Sequence, residues 1–191
     1  PELNDSDIAN GVLYIGLKDL DLPRSLSLFF QFDEGTENPD LDVSKITWSY
    51  LVNNQWVLFD ARQVVFDSTN GLVNSGIVEF AIPDDISNNN TILPSGLHWL
   101  RVQTMDNTEA FSNVLTLQAQ AVSATYTDVA NDPERLRKFI NPFSIAKFVK
   151  KDFAIKTVGQ PHASFGGRIK EQSNEFYARA AERLRHKNRA V

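Results

Sequence analysis

Three histidines are the side chains of this sequence best suited to proton transfer near neutral pH. His98 lies in an apolar stretch, His162 follows a proline, and His186 lies near the end of the chain. No second histidine or cysteine stands at a spacing typical of zinc ligands, such as positions i and i+4 of a helix. We therefore expect no metal site, and His186 fits a favourable positive charge at a helix C-terminus.

The motifs of nucleophilic and cofactor chemistry are also missing. The sequence has no G-x-S-x-G elbow, no phosphate-binding P-loop and no dinucleotide-binding fingerprint, and Gly166-Gly167 alone is typical of a flexible joint. It contains no cysteine, which excludes disulfides and thiolate metal sites and fits a reducing cytoplasm. We expect no catalytic residue, no cofactor and no small-molecule substrate.

An acidic loop over residues 33–42 (DEGTENPDLD) is the one place where a hard cation could bind. Its five carboxylates could supply oxygens to Ca²⁺, but their spacing does not match the twelve-residue calcium loop, and Pro39 breaks the turn that such a loop requires. A solvated loop between strands is the favoured interpretation.

The charges are divided unevenly along the chain. Residues 1–120 contain five Lys and Arg against 17 Asp and Glu, a net charge of −12, whereas residues 121–191 contain 14 against seven, a net charge of +7. The basic side chains near the C-terminus could bind phosphates, but they alternate with Glu175 and Glu182, so we favour a protein interface or a solvated helix face over nucleic acid. The candidate interaction residues are Phe176, Tyr177, Arg179, Arg183, Leu184, Arg185, Lys187 and Arg189.

Short stretches with alternating apolar residues fill the first two-thirds of the chain, separated by Gly, Pro and Asn clusters. This pattern predicts an antiparallel β-sandwich over residues 1–120, and Asn53-Asn54 predicts a two-residue hairpin turn. The three tryptophans, Trp48, Trp56 and Trp99, are predicted to pack in its core; exposure of any of them would instead favour a carbohydrate-binding surface. The predicted strands are 12–18, 25–32, 45–51, 55–59, 64–67, 76–82, 98–105 and 113–119.

Residues 121–191 predict a different structure. Asp132–Lys138 fits a single helical turn, residues 139–173 form an irregular basic segment with five Phe, and a short amphipathic helix begins near Ser173. Its apolar side comprises Phe176, Ala180 and Leu184. The predicted fold is therefore mainly β, with a basic extended segment and a short C-terminal helix. The start at Pro1 and the basic end predict a piece of a longer chain. No apolar run approaches the roughly 18 residues of a membrane span.

The C-terminal residues resemble a segment of the baseplate J-like proteins, the baseplate wedge proteins of phage-tail-like contractile injection systems. The positions that carry the resemblance are Glu171, Phe176, Tyr177, Arg179, Glu182, Arg183, Leu184, Arg185, His186, Lys187, Arg189 and Ala190. Less specific similarities lie upstream, at Trp48-Ser-Tyr, Trp56, Asp67-Ser-Thr-Asn-Gly, Ser75-Gly-Ile, Ile82-Pro and Leu93-Pro-Ser-Gly-Leu-His-Trp-Leu-Arg.

The resemblance implies a non-enzymatic wedge scaffold, assembled in the cytoplasm into a tail-like particle. Its expected partners are other baseplate proteins or copies of itself, without nucleic acid, membrane insertion or a small-molecule substrate. Two alternatives stay open: a surface or secreted β-sandwich binding module, for example for carbohydrate, and a hydrolase fragment whose catalytic residues lie elsewhere in the parent chain.

Overall fold

The computed structural model describes residues 9–22, 24–33, 35–124, 127, 129–130, 140–164 and 173–187, with side chains described except at Arg24 and beyond residue 181. These residues contain eight strands, a short 3-10 turn at Thr108–Ala110 and one α-helix. The strands are β1 Gly11–Leu17, β2 Arg24–Asp33, β3 Ile46–Val52, β4 Gln55–Leu58, β5 Val64–Asp67, β6 Gly76–Ile82, β7 His98–Thr104 and β8 Asn113–Ala119, and the helix is α1 Ser173–Lys187.

The strands form two antiparallel sheets of four strands each. Sheet A has the order β1-β7-β3-β4, and sheet B has the order β5-β6-β2-β8. Only β3–β4 and β5–β6 are neighbours both in sequence and in a sheet, so most strand pairs join distant parts of the chain. The mainly β prediction is confirmed, and every predicted strand is present to within two residues at each end.

The hydrophobic core is built from the inward-facing sides of both sheets. Phe30 of β2 and Phe80 of β6 are completely buried, and the indole of Trp48 packs edge-on against Phe80 with ring centroids 4.9 Å apart. Leu28 and Val78 form a directly opposed pair across β2 and β6, both also buried. Each such side chain stabilises the fold by about 1.5–3 kcal/mol, because its apolar surface leaves water.

The predicted Asn-Asn turn joins β3 and β4. Asn53 and Asn54 have φ values of 44° and 71°, and the strands pair directly beside them through Val52 and Gln55. Asparagine tolerates this left-handed conformation better than most residues, which explains the choice of residue at both positions. The Asn54 amide also donates to the hydroxyl of Thr91 and accepts from its N–H, at 3.0 Å and 2.7 Å.

A short network fixes the turn between β5 and β6. The Asp67 carboxylate accepts hydrogen bonds from the N–H groups of Thr69 and Gly71, and the Thr69 hydroxyl accepts one from the N–H of Leu72. Thr69 is completely buried, and its hydroxyl also donates to Asp67. These bonds give a structural reason for the Asp67–Gly71 sequence that figured in the resemblance.

The chain divides into two compact units, Pro1–Ala124 and Thr125–Val191. All eight strands belong to the first unit. In the second unit, residues 140–164 contain a single isolated β-bridge and otherwise irregular backbone, and α1 begins at Ser173 as predicted. The predicted helical turn at 132–138 lies outside the described residues. The domain boundary at residue 120 stays a prediction.

Candidate docking surfaces

We call residues 143–160 the Lys/Phe loop. Its two ends are held together by hydrogen bonds that join residues 140 and 143 to residues 164 and 160, a pairing that we call the neck. The N–H of Phe143 donates to the carbonyl of Gln160 at 2.7 Å, and the N–H of Ser164 donates to the carbonyl of Ile140 at 3.0 Å. The Ser164 hydroxyl also accepts a hydrogen bond from the Ile140 N–H at 3.2 Å. The neck therefore brings together residues that are 24 positions apart.

The Lys/Phe loop presents apolar rings and ammonium groups to solvent. Phe153 is 91% exposed and Phe143 is 70% exposed, and half-exposed Phe148 follows Lys147 directly. The Nζ atom of Lys151 lies 5.5 Å from the ring centroid of Phe153, within the range of a cation–π contact. The residue pattern alone did not identify these lysines as candidate interaction residues. The signal that the sequence offers is the alternation of Lys and Phe in a segment without a helical or strand period.

Three of the candidate interaction residues lie together on the exposed side of α1. Phe176 and Tyr177 are 51% and 70% exposed, and their rings meet edge-on with centroids 5.9 Å apart. The guanidinium of Arg179 lies 5.7 Å from the Phe176 ring. Phe176, which belongs to the predicted apolar side of the helix, is therefore exposed.

The other candidate interaction residues are not located by side chain. Arg183, Leu184, Arg185 and Lys187 fall within the bounds of α1, and their side chains lie outside the described residues, as does the whole of Arg189. Their part in an interface stays a prediction.

The outer face of sheet A carries two of the three tryptophans, so their predicted place in the core is wrong. Only Trp48 belongs to the core between the sheets, while Trp56 and Trp99 are half-buried and project from the opposite side of their strands. In β7, Trp99 alternates with buried Leu100 and Val102 and shares its face with Arg101 and Gln103, and this polar company is the sequence signal for an outward position. The Trp99 indole N–H donates to the carbonyl of Pro94 at 3.0 Å.

Trp56 takes part in an aromatic cluster on that outer face. Its ring lies 5.6 Å from that of Tyr14, with the two planes inclined by 37°, and the Arg101 guanidinium lies 4.5 Å from its centroid. Ser49 and Leu51 beneath this face are completely buried. Because the Tyr14 and Trp56 rings are inclined to each other, they do not form the flat platform on which a sugar ring stacks.

One carboxylate of the acidic loop, that of Glu37, takes part in hydrogen bonds within the sandwich unit. Glu37 accepts hydrogen bonds from the Ser112 hydroxyl and from the N–H of Gly35. The hydrogen bond from Ser112 is the main reason that the pKa of Glu37 lies below its ordinary value, so this carboxylate is ionised at neutral pH. Among the residues that the structure describes, no three His, Asp or Glu side chains lie close enough together to hold a metal ion.

The three histidines belong to different segments of the chain. His98 begins β7 and is half-buried, and this burial lowers its pKa below the ordinary value of a histidine. His162 is exposed near the neck of the Lys/Phe loop, and the side chain of His186 lies outside the described residues.

Comparison with known families gives a context for these surfaces. A family model described as "Baseplate protein PVC11-like" matches residues 1–191, the whole sequence. The chain belongs to this family. No curated protein matches the sequence closely enough to count as a relative.

Membership of a baseplate family places the chain, and with it these exposed surfaces, in a larger assembly. It makes the chain a baseplate component of a phage-tail-like particle, which meets other baseplate components. In the described residues, no helix combines the length and the apolar composition that a membrane span requires.

Proposed function

We propose that this chain is a non-catalytic wedge scaffold of a contractile injection baseplate. The β-sandwich supplies a rigid body, and the Lys/Phe loop and the exposed side of α1 hold other baseplate proteins or further copies of the chain. Assembly takes place in the cytoplasm before the chain joins the particle, with which a cysteine-free sequence is compatible. Nucleic acid, membrane insertion and small substrates have no part in this role.

The observation that supports this proposal best is the exposure of Phe153. A phenylalanine that is 91% exposed leaves nearly its whole ring in water. Burying such a side chain against a partner is worth about 1.5–3 kcal/mol. Several large apolar residues share this loop, and contiguous exposed apolar surface is typical of protein interaction sites. The loop therefore has the composition expected of a docking element.

The cluster on α1 has the residue types of a second contact. Tyrosine and arginine are enriched among the residues that dominate binding energy in protein interfaces. Tyr177 and Arg179 flank the exposed ring of Phe176 on the helix surface. We propose that this cluster packs against a partner in the assembled baseplate.

Replacing the exposed rings of the loop tests the proposal. In the double variant Phe148→Ser/Phe153→Ser, the fraction of chain that sediments with assembled baseplates should fall about tenfold or more, since residues that dominate an interface cost about 2 kcal/mol each when truncated. The matched control is Phe66→Ser, which removes a 51% exposed phenylalanine from the sandwich.

The control variant should sediment with baseplates like the unaltered chain. Circular dichroism and thermal unfolding establish that all variants are folded before the comparison is made. Equal incorporation of the double variant and the control would show that the loop is not a docking element.

A further inference from the structure

A cavity opens at one end of the sandwich, between the two sheets. It has a volume of about 190 Å³ and lies where β1 and β8 begin and where β2 and β7 end. Most of its lining is apolar, with Phe32 and Val102 on its inner side and the half-exposed Val12 and Val114 at its edge. A register shift between Gln31 and Phe32, where β2 pairs with β8, lies beside it. Such bulges often occur next to binding sites.

Carboxylates stand next to this cavity. A second, polar cleft of about 430 Å³ shares Thr108 and Phe111 with the cavity and is lined by Glu37 and Glu109. No Lys or Arg is among the described residues that line either space. The hydrogen bond from Ser112 lowers the pKa of Glu37 below an ordinary value that already lies well under neutral pH, so the cleft carries a negative charge at neutral pH.

The apolar cavity and the acidic cleft together suit a binding group that consists of an apolar ring with a positive charge beside it. An apolar cavity of about 150 Å³ in another protein is large enough to hold benzene, so this cavity has room for a phenylalanine ring. The neighbouring carboxylates would attract an ammonium group that enters with the ring. Phe153 and Lys151 present this combination, because the Lys151 Nζ lies 5.5 Å from the centroid of a ring that is 91% exposed.

We propose that two copies of the chain associate through these parts: Phe153 of one copy enters the cavity of the other, and Lys151 meets the cleft of Glu37 and Glu109. The inference rests on the proposed role of the Lys/Phe loop as a docking element, and it adds the partner and the receiving site. The opposite net charges of residues 1–120 and 121–191, −12 and +7, support a contact between different parts of two copies. Such a contact is heterologous, since each copy offers a different surface.

Mixing two complementary variants tests this contact directly. Phe153→Ser removes the inserted ring, and Val114→Trp fills the edge of the cavity from a position that is 44% exposed. Sedimentation velocity of the unaltered full chain should show association that increases with concentration. Each variant alone should associate about tenfold or more weakly. An equimolar mixture should form heterodimers, because one variant keeps its loop and the other keeps its cavity.

Three further variants complete the test: one controls for the added bulk in β8, and two exchange charges between the loop and the cleft. Leu115→Trp adds the same bulk to the next residue of β8, which is 58% exposed and does not line the cavity, so it should associate like the unaltered chain. Glu109→Lys reverses an exposed charge of the cleft and should weaken association, and Lys151→Glu should restore it in a mixture of the two variants. Association should also weaken as salt is raised, because salt screens these charges.

The outcomes separate this inference from the proposed function. An unaltered chain that stays monomeric at all concentrations, or a mixture of Phe153→Ser and Val114→Trp that stays monomeric, overturns the contact between copies. If the loop variants nevertheless fail to enter baseplates, the docking role of the loop stands with a different partner. If the copies associate as described but loop variants enter baseplates normally, the proposed function fails and the contact stands.

Discussion

Single side chains of sheet A show that the face a residue shares is more informative than its type. Trp48 alternates with polar neighbours and lies in the core, whereas Trp99 shares the outer face with Arg101 and Gln103. Gly16 makes room for Trp99, since a Cβ atom there would lie 3.0 Å from its indole ring. That space comes from pairing β1 with β7, which no local pattern encodes. The cavity and its acidic neighbour depend on the same kind of distant pairing and could not be predicted either.

His98 gives a pH dependence at the scale of one residue. Burial lowers its pKa in the folded chain, whereas in the unfolded chain it titrates near the ordinary value of about 6.5. The unfolded state therefore binds a proton more readily as the pH falls, and His98 lowers the stability of the fold progressively below about pH 6.5. Urea unfolding at several pH values between neutral and mildly acidic measures this effect.

The variant His98→Gln removes the titrating group while keeping a polar side chain. Its stability should depend less on pH than that of the unaltered chain over this interval. Identical pH profiles for the two proteins would mean that His98 titrates alike in the folded and unfolded states.

The hairpin of β3 and β4 is the element that the sequence specifies most closely. Asn53 and Asn54 are adjacent, both have positive φ, and the predicted two-residue turn is present. The Asn54 side chain makes two hydrogen bonds to Thr91, which belongs to a loop far along the chain. The two-residue turn could thus be predicted from the sequence, but the hydrogen bonds between the Asn54 side chain and Thr91 could not.

Glycine at the two turn positions should separate backbone from side-chain effects. Asn53→Gly suits the left-handed backbone and should leave the free energy of unfolding within about 1 kcal/mol of its original value. Asn54→Gly suits the backbone equally but loses both bonds to Thr91, at a cost of about 1–2 kcal/mol. Urea unfolding of both variants measures the difference, and equal stabilities would show that the bonds to Thr91 contribute nothing.

The position of each strand along the chain could be predicted from the sequence, but the order of the strands in the two sheets could not. Alternation in β2 and β6 marks one buried face, and Phe30 and Phe80 lie in the core as this pattern requires. The order β5-β6-β2-β8 depends on packing between segments that are distant in sequence. The same holds for the neck of the Lys/Phe loop, where Ile140 pairs with Ser164, 24 positions further along the chain.

On the scale of the whole molecule, the division into two units predicts an independent sandwich. All eight strands and all three tryptophans lie within Pro1–Ala124. Residues 1–124 alone should therefore fold, with the tryptophan emission spectrum of the full chain and one cooperative unfolding transition. Fluorescence and thermal denaturation of the shortened and full chains make the comparison. A shortened chain that shows red-shifted emission and no transition would show that the strands need residues 125–191.

The neck of the Lys/Phe loop has a consequence for how this region changes between related chains. Because the backbone enters and leaves through paired residues, an insertion or deletion between Phe143 and Gln160 need not displace the flanking segments. Doubling the length of a flexible loop costs only about 0.6 kcal/mol in closure entropy. We therefore expect the segment between Phe143 and Gln160 to vary in length among homologues. The neck residues should stay at the same distance, counted in residues, from the flanking segments of the unit.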